Sequence, residues 1–230
     1  MICEFRRLED EKKAALAEFY DVLRQKCDEV LGGYAPPVDL HATCRMMEFF
    51  LPVIEGGGEI YCDILSGDSP VPLGMAFLAR EFHDVPDTHF YLVDDNELRG
   101  LDIAEAQARY FGIEKSITPV RARAEKPEWL ALMPYNLAGL TAFGTRYDPM
   151  DAEFWYKLGK PGNISFEDLV AIAPKIIIAD YHLECPDAPV ENFDPYYRRK
   201  ATAPTEFKGL NRHGIIYSDR VRIPSSTFRS

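Results

Sequence analysis

The sequence predicts an α/β fold of the α+β kind: a mixed, mostly antiparallel central sheet flanked by helices, followed by a C-terminal extension. Three observations carry this. Periodicities run strand, helix, helix, strand, strand, strand, helix as far as Tyr110. The extended runs "EIYCDIL" and "PLGMAFLA" are separated by "SGDSPV", whose Gly, Asp, Ser and Pro are hairpin-turn chemistry. The 230 residues, 47% of them apolar, suffice for one well-buried domain.

"ICEFRRL" alternates as a first strand. Leu16, Phe19, Tyr20, Leu23, Cys27, Val30 and Leu31 recur at three and four, the apolar face of a helix that Gly32-Gly33 stops. Asp39 is an N-cap candidate for "LHATCRMMEFFLPVIE", where Leu40, Cys44, Met47, Phe50 and Leu51 share a face, and Pro52 and Gly56–Gly58 end it. "EIYCDIL", "PLGMAFLA" and "HFYLV" read as three antiparallel strands, and "LDIAEAQARYF" as the next helix. Beyond it "SITPVRARA" is a strand candidate, "EWLALM" is ambiguous, and "DPMDAEFWYKLG" is a short helix capped by Asp148 or Asp151. Ser165 can cap "FEDLVAIA" with Asp168 as its partner acid, and "KIIIADYHL" is one more strand. After Cys185 the chain turns Pro-rich and irregular.

A net charge of −11 argues against a protein that coats nucleic acid with its whole surface. The charge is uneven, because from Phe193 onward eight Lys/Arg face three acids. That tail also carries Phe193, Tyr196, Tyr197, Phe207 and Tyr217, a composition able either to wrap the acidic body or to stack and neutralise nucleic acid; Arg198, Arg199, Lys200 and Arg212 are the candidate phosphate contacts. Five scattered cysteines form no CxxC pair and no zinc spacing, so reduced thiols and no metal are expected. Without an apolar run of membrane length or a signal-like start, the expected location is the cytoplasm. Oligomeric state is not legible.

The stretch "YLVDDNELRGLDIAEAQARYFG" sets an Arg-Gly pair before a helix, whose unpaired amides and macrodipole favour anions. It resembles the coenzyme A pyrophosphate motif of the GCN5-related N-acetyltransferases, (Gln/Arg)-x-x-Gly-x-(Gly/Ala). Arg99 and Ala104 match, and Asp102 stands where that motif has its inner glycine. Gly74 falls where the family's third strand often carries a glycine, and "DAEFWYKLG" is similar to its acceptor-site segment.

The resemblance implies an acyltransferase domain over 1–160, possessing an extension over 161–230 that packs on it. It implies transfer of an acyl group from acetyl-CoA or another acyl-CoA to an amine. The cofactor would lie on Leu92, Val93, Arg99, Gly100, Leu101, Asp102, Ile103 and Ala104. Tyr156 would be the acid, with Tyr147 in reserve, and His89, Glu59 or Asp63 the base. A carboxylate at Asp102 would repel a pyrophosphate, which leaves three readings open: Asp102 turns outward, the donor differs, or the site is lost. Two rival functions follow, a related transferase that modifies nucleic-acid bases, as some phage proteins of this type do, and a degenerate scaffold that only binds. Asp94, Asp95 and Glu97 are more simply cap partners than metal ligands.

Overall fold

The computed structural model describes residues 8–31, 40–51, 54–97, 99–142, 157, 159–173, 175–181, 205–208 and 212–218. In chain order its elements are α1 (Asp10–Leu31), α2 (Leu40–Phe50), β1 (Glu59–Ile64), α3 (Pro70–Glu81), β2 (Thr88–Asp94), α4 (Gly100–Tyr110), β3 (Ile117–Arg121), β4 (Leu137–Ala142), α5 (Phe166–Ile172), β5 (Lys175–Tyr181), β6 (Thr205–Lys208) and β7 (Arg212–Ser218). Short 3-10 turns at Glu114–Ser116 and Pro127–Leu132 flank β3.

The strands form one sheet in the order β3-β2-β1-β4-β5-β7-β6. β3, β2, β1, β4 and β5 are mutually parallel, and β7 alone runs antiparallel to both of its neighbours. The fold is therefore α/β, and the mostly antiparallel sheet expected from the sequence is corrected to a mostly parallel one.

The error traces to one segment. "PLGMAFLA" lies within α3 rather than in a strand, and "SGDSPV" leads from β1 into the helix of a βαβ crossover in place of a hairpin. Val71, Leu73, Met75, Ala76 and Leu78 are all buried, so this helix is apolar around most of its circumference and loses the 3.6-residue signal. Gly74, read as a strand glycine, sits where α3 crosses the first two helices; a Cβ there would run into the Met47 and Tyr20 side chains.

Two apolar clusters sandwich the sheet. On one side Phe19, Leu23, Met47, Phe50, Leu73 and Met75 from α1, α2 and α3 cover Tyr61, Phe90 and Leu92. On the other, Cys62, Ile64, Val93 and Leu140 meet Trp129, Ile164 and Leu169. Adjacent β1 residues thus face opposite layers, the period-two alternation of a strand buried on both faces. Trp129 donates its indole N–H to the Ala124 carbonyl at 3.0 Å, which lets the ring be fully buried.

The Ser165 cap forms as expected. Its side chain accepts from the Asp168 amide while Asp168 accepts from the Ser165 amide at 2.7 Å, a complete capping box. Segments 1–7 and 143–156, which contain the expected first strand, Tyr147, Trp155 and Tyr156, lie outside the described residues, as do Arg198, Arg199 and Lys200. Strand β6 falls in the stretch that read as irregular.

Candidate functional site

In a parallel α/β sheet, ligands bind beyond the carboxyl ends of the strands where the strand order reverses. Here the order turns at β1, with β2 and β3 on one side and β4 and β5 on the other. Leu65–Ser69 after β1 and Asp94–Asn96 after β2 frame that position.

The β1 loop has a left-handed backbone at every second residue: Leu65 at φ 57°, Gly67 at 50° and Ser69 at 54°. Only Gly67 adopts this without steric cost; for Leu and Ser it costs on the order of 1 kcal/mol each. Hydrogen bonds hold the shape. Ser69 donates its amide (2.7 Å) and its hydroxyl (3.1 Å) to the Ser66 carbonyl, and the Ser66 amide reaches the Val93 carbonyl at 3.3 Å. The buried Ser66 hydroxyl has no hydrogen-bond partner among the described residues. A Cβ added to Gly67 would meet nothing within 4 Å, so a ligand can lie against this backbone.

Carboxylates dominate the charge here. Asp94 at the end of β2 accepts the Gly67 amide at 3.1 Å and the Asn96 amide at 2.8 Å. Burial, and secondarily the nearby Asp94 carboxylate, push the Asp68 carboxyl up to about 6. Beneath the loop, Asp63 is buried between β1 and β4 and accepts the Thr141 hydroxyl at 2.8 Å.

Donors for an anion are scarce in the same place. Pro70 and Pro72 fall at the first and third positions of α3, which removes two of the three amides that a helix start would offer a phosphate. The Leu73 amide donates to the Ser69 carbonyl. At α4 the Asn96 side-chain oxygen accepts the Leu101 amide at 2.9 Å and the Asp102 amide at 3.3 Å. Asp102 receives Arg121 at 3.0 Å and Asn96 at 3.1 Å, with Arg99 at 3.5 Å; the Arg121 guanidinium, first among these, holds its carboxyl below the usual range.

Gly100 has a packing role. A Cβ there would lie 2.5 Å from the Gly67 carbonyl carbon, so the start of α4 rests directly on the β1 loop. Arg99 before it is left-handed at φ 60° and exposed. Leu101, Ile103 and Ala104 are buried along α4, and Leu92 and Val93 are buried in β2.

The remaining candidates lie apart. His89 and Glu59 occupy the opposite, amino-terminal end of the parallel strands: His89 contacts the Lys115 carbonyl at 2.9 Å and Thr118 at 2.8 Å, while Glu59 accepts the Glu55 and Gly56 amides and the Tyr61 hydroxyl. Asp63 alone of the expected bases is near the switch point. Arg212 opens β7. Asp68, Asp94 and Asn96 were missed as site residues. Ser69-Pro70, a capping residue followed by proline, was the signal for a helix start and hence for a strand-loop-helix site.

Burial raises the Cys62 thiol well above its ordinary value, which leaves it a packing group. Among the described residues no three His, Cys, Asp or Glu converge on a metal position, and no helix is long and apolar enough to cross a membrane.

No protein-family model and no curated protein sequence matches the chain. Solved structures do. The catalytic domain of human METTL16, in complex with a MAT2A 3'UTR hairpin, is 13% identical with a TM-score of 0.55 over 91% of this chain and 83% of that one. Human methyltransferase 10 domain containing protein is 13% identical, with a TM-score of 0.54 over 88% and 96%. A Listeria monocytogenes protein assigned as a class I S-adenosylmethionine-dependent methyltransferase is 12% identical, with a TM-score of 0.51 over 91% and 71%. At such identities the likeness is one of fold. It overturns the N-acetyltransferase resemblance, and with it the acyltransferase function, the acyl-CoA cofactor and the amine acceptor: the chain shares the mostly parallel α/β fold of these three proteins.

Proposed function

We propose that the chain is an S-adenosylmethionine-dependent methyltransferase acting on RNA. The observation that carries this is the chemistry of the β1 loop. In dinucleotide-binding sheets the same loop offers glycines and helix amides to a pyrophosphate, and an acid after the second strand holds the ribose. Here the acid is present as Asp94, but prolines replace two helix amides and Asp94 takes the Gly67 amide. A nucleoside without phosphates and with positive charge suits such a loop; a dinucleotide or coenzyme A does not.

S-adenosylmethionine is that ligand, and when bound it supplies an electrophilic methyl group on a sulfonium. Asp94 would hold its ribose hydroxyls, and the open face of Gly67 would lie against it. Asp63 and Thr141 brace the strands beneath.

RNA as acceptor is supported by the METTL16 catalytic domain in its hairpin complex, and by the excess of Lys and Arg after Phe193. The nucleic-acid-modifying alternative read from the sequence thus returns as methyl transfer.

Isothermal titration with S-adenosylmethionine, followed by transfer of its labelled methyl group to total RNA and to DNA, tests the reading. Saturable binding and label in RNA are expected. Absence of binding at millimolar cofactor would overturn the cofactor assignment, and label in DNA alone would overturn the acceptor.

A further inference from the structure

The anion donors that the β1 loop lacks stand elsewhere on the same end of the sheet. β3 leaves the sheet beside the site, since the Ala122 amide donates to the Asp94 carbonyl at 2.9 Å. The segment that follows, 123–126, is joined to the turn 159–163. The Ile164 amide donates to the Glu125 carbonyl at 2.9 Å, and Lys126 Nζ donates to the Asn163 side-chain oxygen at 2.8 Å and to the Gly162 carbonyl at 3.4 Å. Within the turn the Asn163 amide reaches the Lys160 carbonyl at 3.0 Å, and Asn163 Nδ2 reaches the Lys157 carbonyl at 3.1 Å. Two segments far apart in the chain are thereby locked together, and Lys126, Lys157 and Lys160 are brought to one rim.

The charges on this rim are unequally matched. Arg121 is taken by Asp102 and Glu105, Arg123 by Glu97, and Lys157 by Glu125. Lys126 differs, because its partners among the described residues are neutral oxygens, which orient the ammonium without cancelling its charge. In a chain of net charge −11, with carboxylates in excess, a cation fixed on amide and carbonyl oxygens keeps its attraction for an outside anion. Lys160 is exposed on the turn itself. A Cβ on Gly162 would meet nothing within 4 Å, so the backbone there is open to a strand lying across it.

We propose that the turn 159–163, with Lys126 and Lys160, is a contact surface for the sugar-phosphate backbone of the RNA acceptor. The proposal rests on the RNA-methyltransferase reading and adds the path of the strand, across the carboxyl end of β3 on the side of the sheet opposite α1 to α4. Two ammonium groups held on one rim neutralise phosphates without reading bases, so they position the strand and leave its sequence to other contacts.

Fluorescence anisotropy of a labelled single-stranded RNA of about 20 nucleotides, titrated with the full chain in roughly 50 to 200 mM KCl, tests the surface. Lys126→Gln combined with Lys160→Gln should weaken binding severalfold and reduce the slope of log K against log salt by about 1.4, two contacts at roughly 0.7 each. The corresponding double arginine variant should keep both affinity and slope. Lys115→Gln, at an exposed lysine just before β3 and so at the other end of the sheet, should leave the slope unchanged. Thermal unfolding checks that each variant is folded; if the double glutamine variant is not, Lys160→Gln alone should lower the slope by about 0.7. A slope kept in the glutamine variants, a loss of binding in the arginine variant, or an equal effect of Lys115→Gln overturns the surface while leaving RNA as the acceptor. Tighter binding to DNA of the same sequence overturns RNA as the occupant. If the unsubstituted chain binds no RNA at about 50 mM KCl, the surface and the RNA reading fall together.

Discussion

Gly100 and Gly67 meet backbone to backbone: a Cβ on Gly100 would lie 2.5 Å from the carbonyl carbon of Gly67, 2.7 Å from its oxygen and 2.8 Å from its Cα. No rotamer change relieves such a contact, since the obstacle is main chain. Gly100→Ala should therefore shift α4 away from the β1 loop and cost about 1–3 kcal/mol. Urea unfolding measures it; a loss under 0.5 kcal/mol, by rough reckoning from ordinary surface substitutions, would show that the two segments slide apart freely.

Asn96 accepts two α4 amides through one side-chain oxygen. Asn96→Ala exposes both and also removes the Nδ2 bond to Asp102. A loss of about 0.5–2 kcal/mol is expected, with faster amide hydrogen exchange at Leu101 and Asp102 than elsewhere in the helix. Uniform exchange along α4 would contradict the capping role.

Thr141 supplies a hydroxyl to the buried Asp63 carboxylate. Thr141→Val keeps the shape and leaves that oxygen short of a donor, at a cost of about 1–3 kcal/mol. Thr141→Ser, which retains the hydroxyl, should recover the part of the loss that is due to the bond. A Thr141→Val variant as stable as the parent would show that the bond contributes nothing measurable.

Asp68 links stability to pH. Its carboxyl titrates near 3.8 when unperturbed and at about 6 in the fold, so between those values the folded chain holds a proton that the unfolded chain has released. Stability from this group is therefore greatest below the lower value and falls as pH rises through the higher one. Asp68→Asn removes the dependence. The variant should be more stable than the parent at pH 7.5 by on the order of 2–3 kcal/mol, and the gap should close towards pH 4. Equal denaturation midpoints at pH 7.5 would count against it.

Most element positions were legible where one pattern dominated. The three-and-four spacing of Leu16, Phe19, Tyr20 and Leu23 marks α1, and the Ser165–Asp168 box marks α5. Strand direction was not legible, because a strand has the same alternation whichever way it pairs; direction follows from the connection. Taking the almost fully buried α3 for a strand converted a crossover into a hairpin and turned the sheet antiparallel.

The site was harder to see for a related reason. Left-handed backbone is usually announced by glycine, but Leu65 and Ser69 adopt it under the hold of the Ser66 carbonyl and the surrounding packing. The Arg99-Gly100 pair drew attention to an anion site at α4, where the glycine serves a close approach and Asn96 supplies the cap. Asp102, read as the residue that would decide cofactor binding, is instead one end of an ion-pair group with Arg99 and Arg121.

The place of β1 at the centre of the sheet also bears on synthesis. Its pairing with β4 joins residues as distant as Asp63 and Thr141, 78 apart in the chain, whereas β2 follows within a single crossover. At roughly 5–20 residues per second on the ribosome, one edge of β1 stays open for about 4–16 s after the strand is made. During that interval a nascent chain carries an apolar, unpaired strand edge, and this is the stage at which a chaperone or a slower codon would change the yield of folded protein.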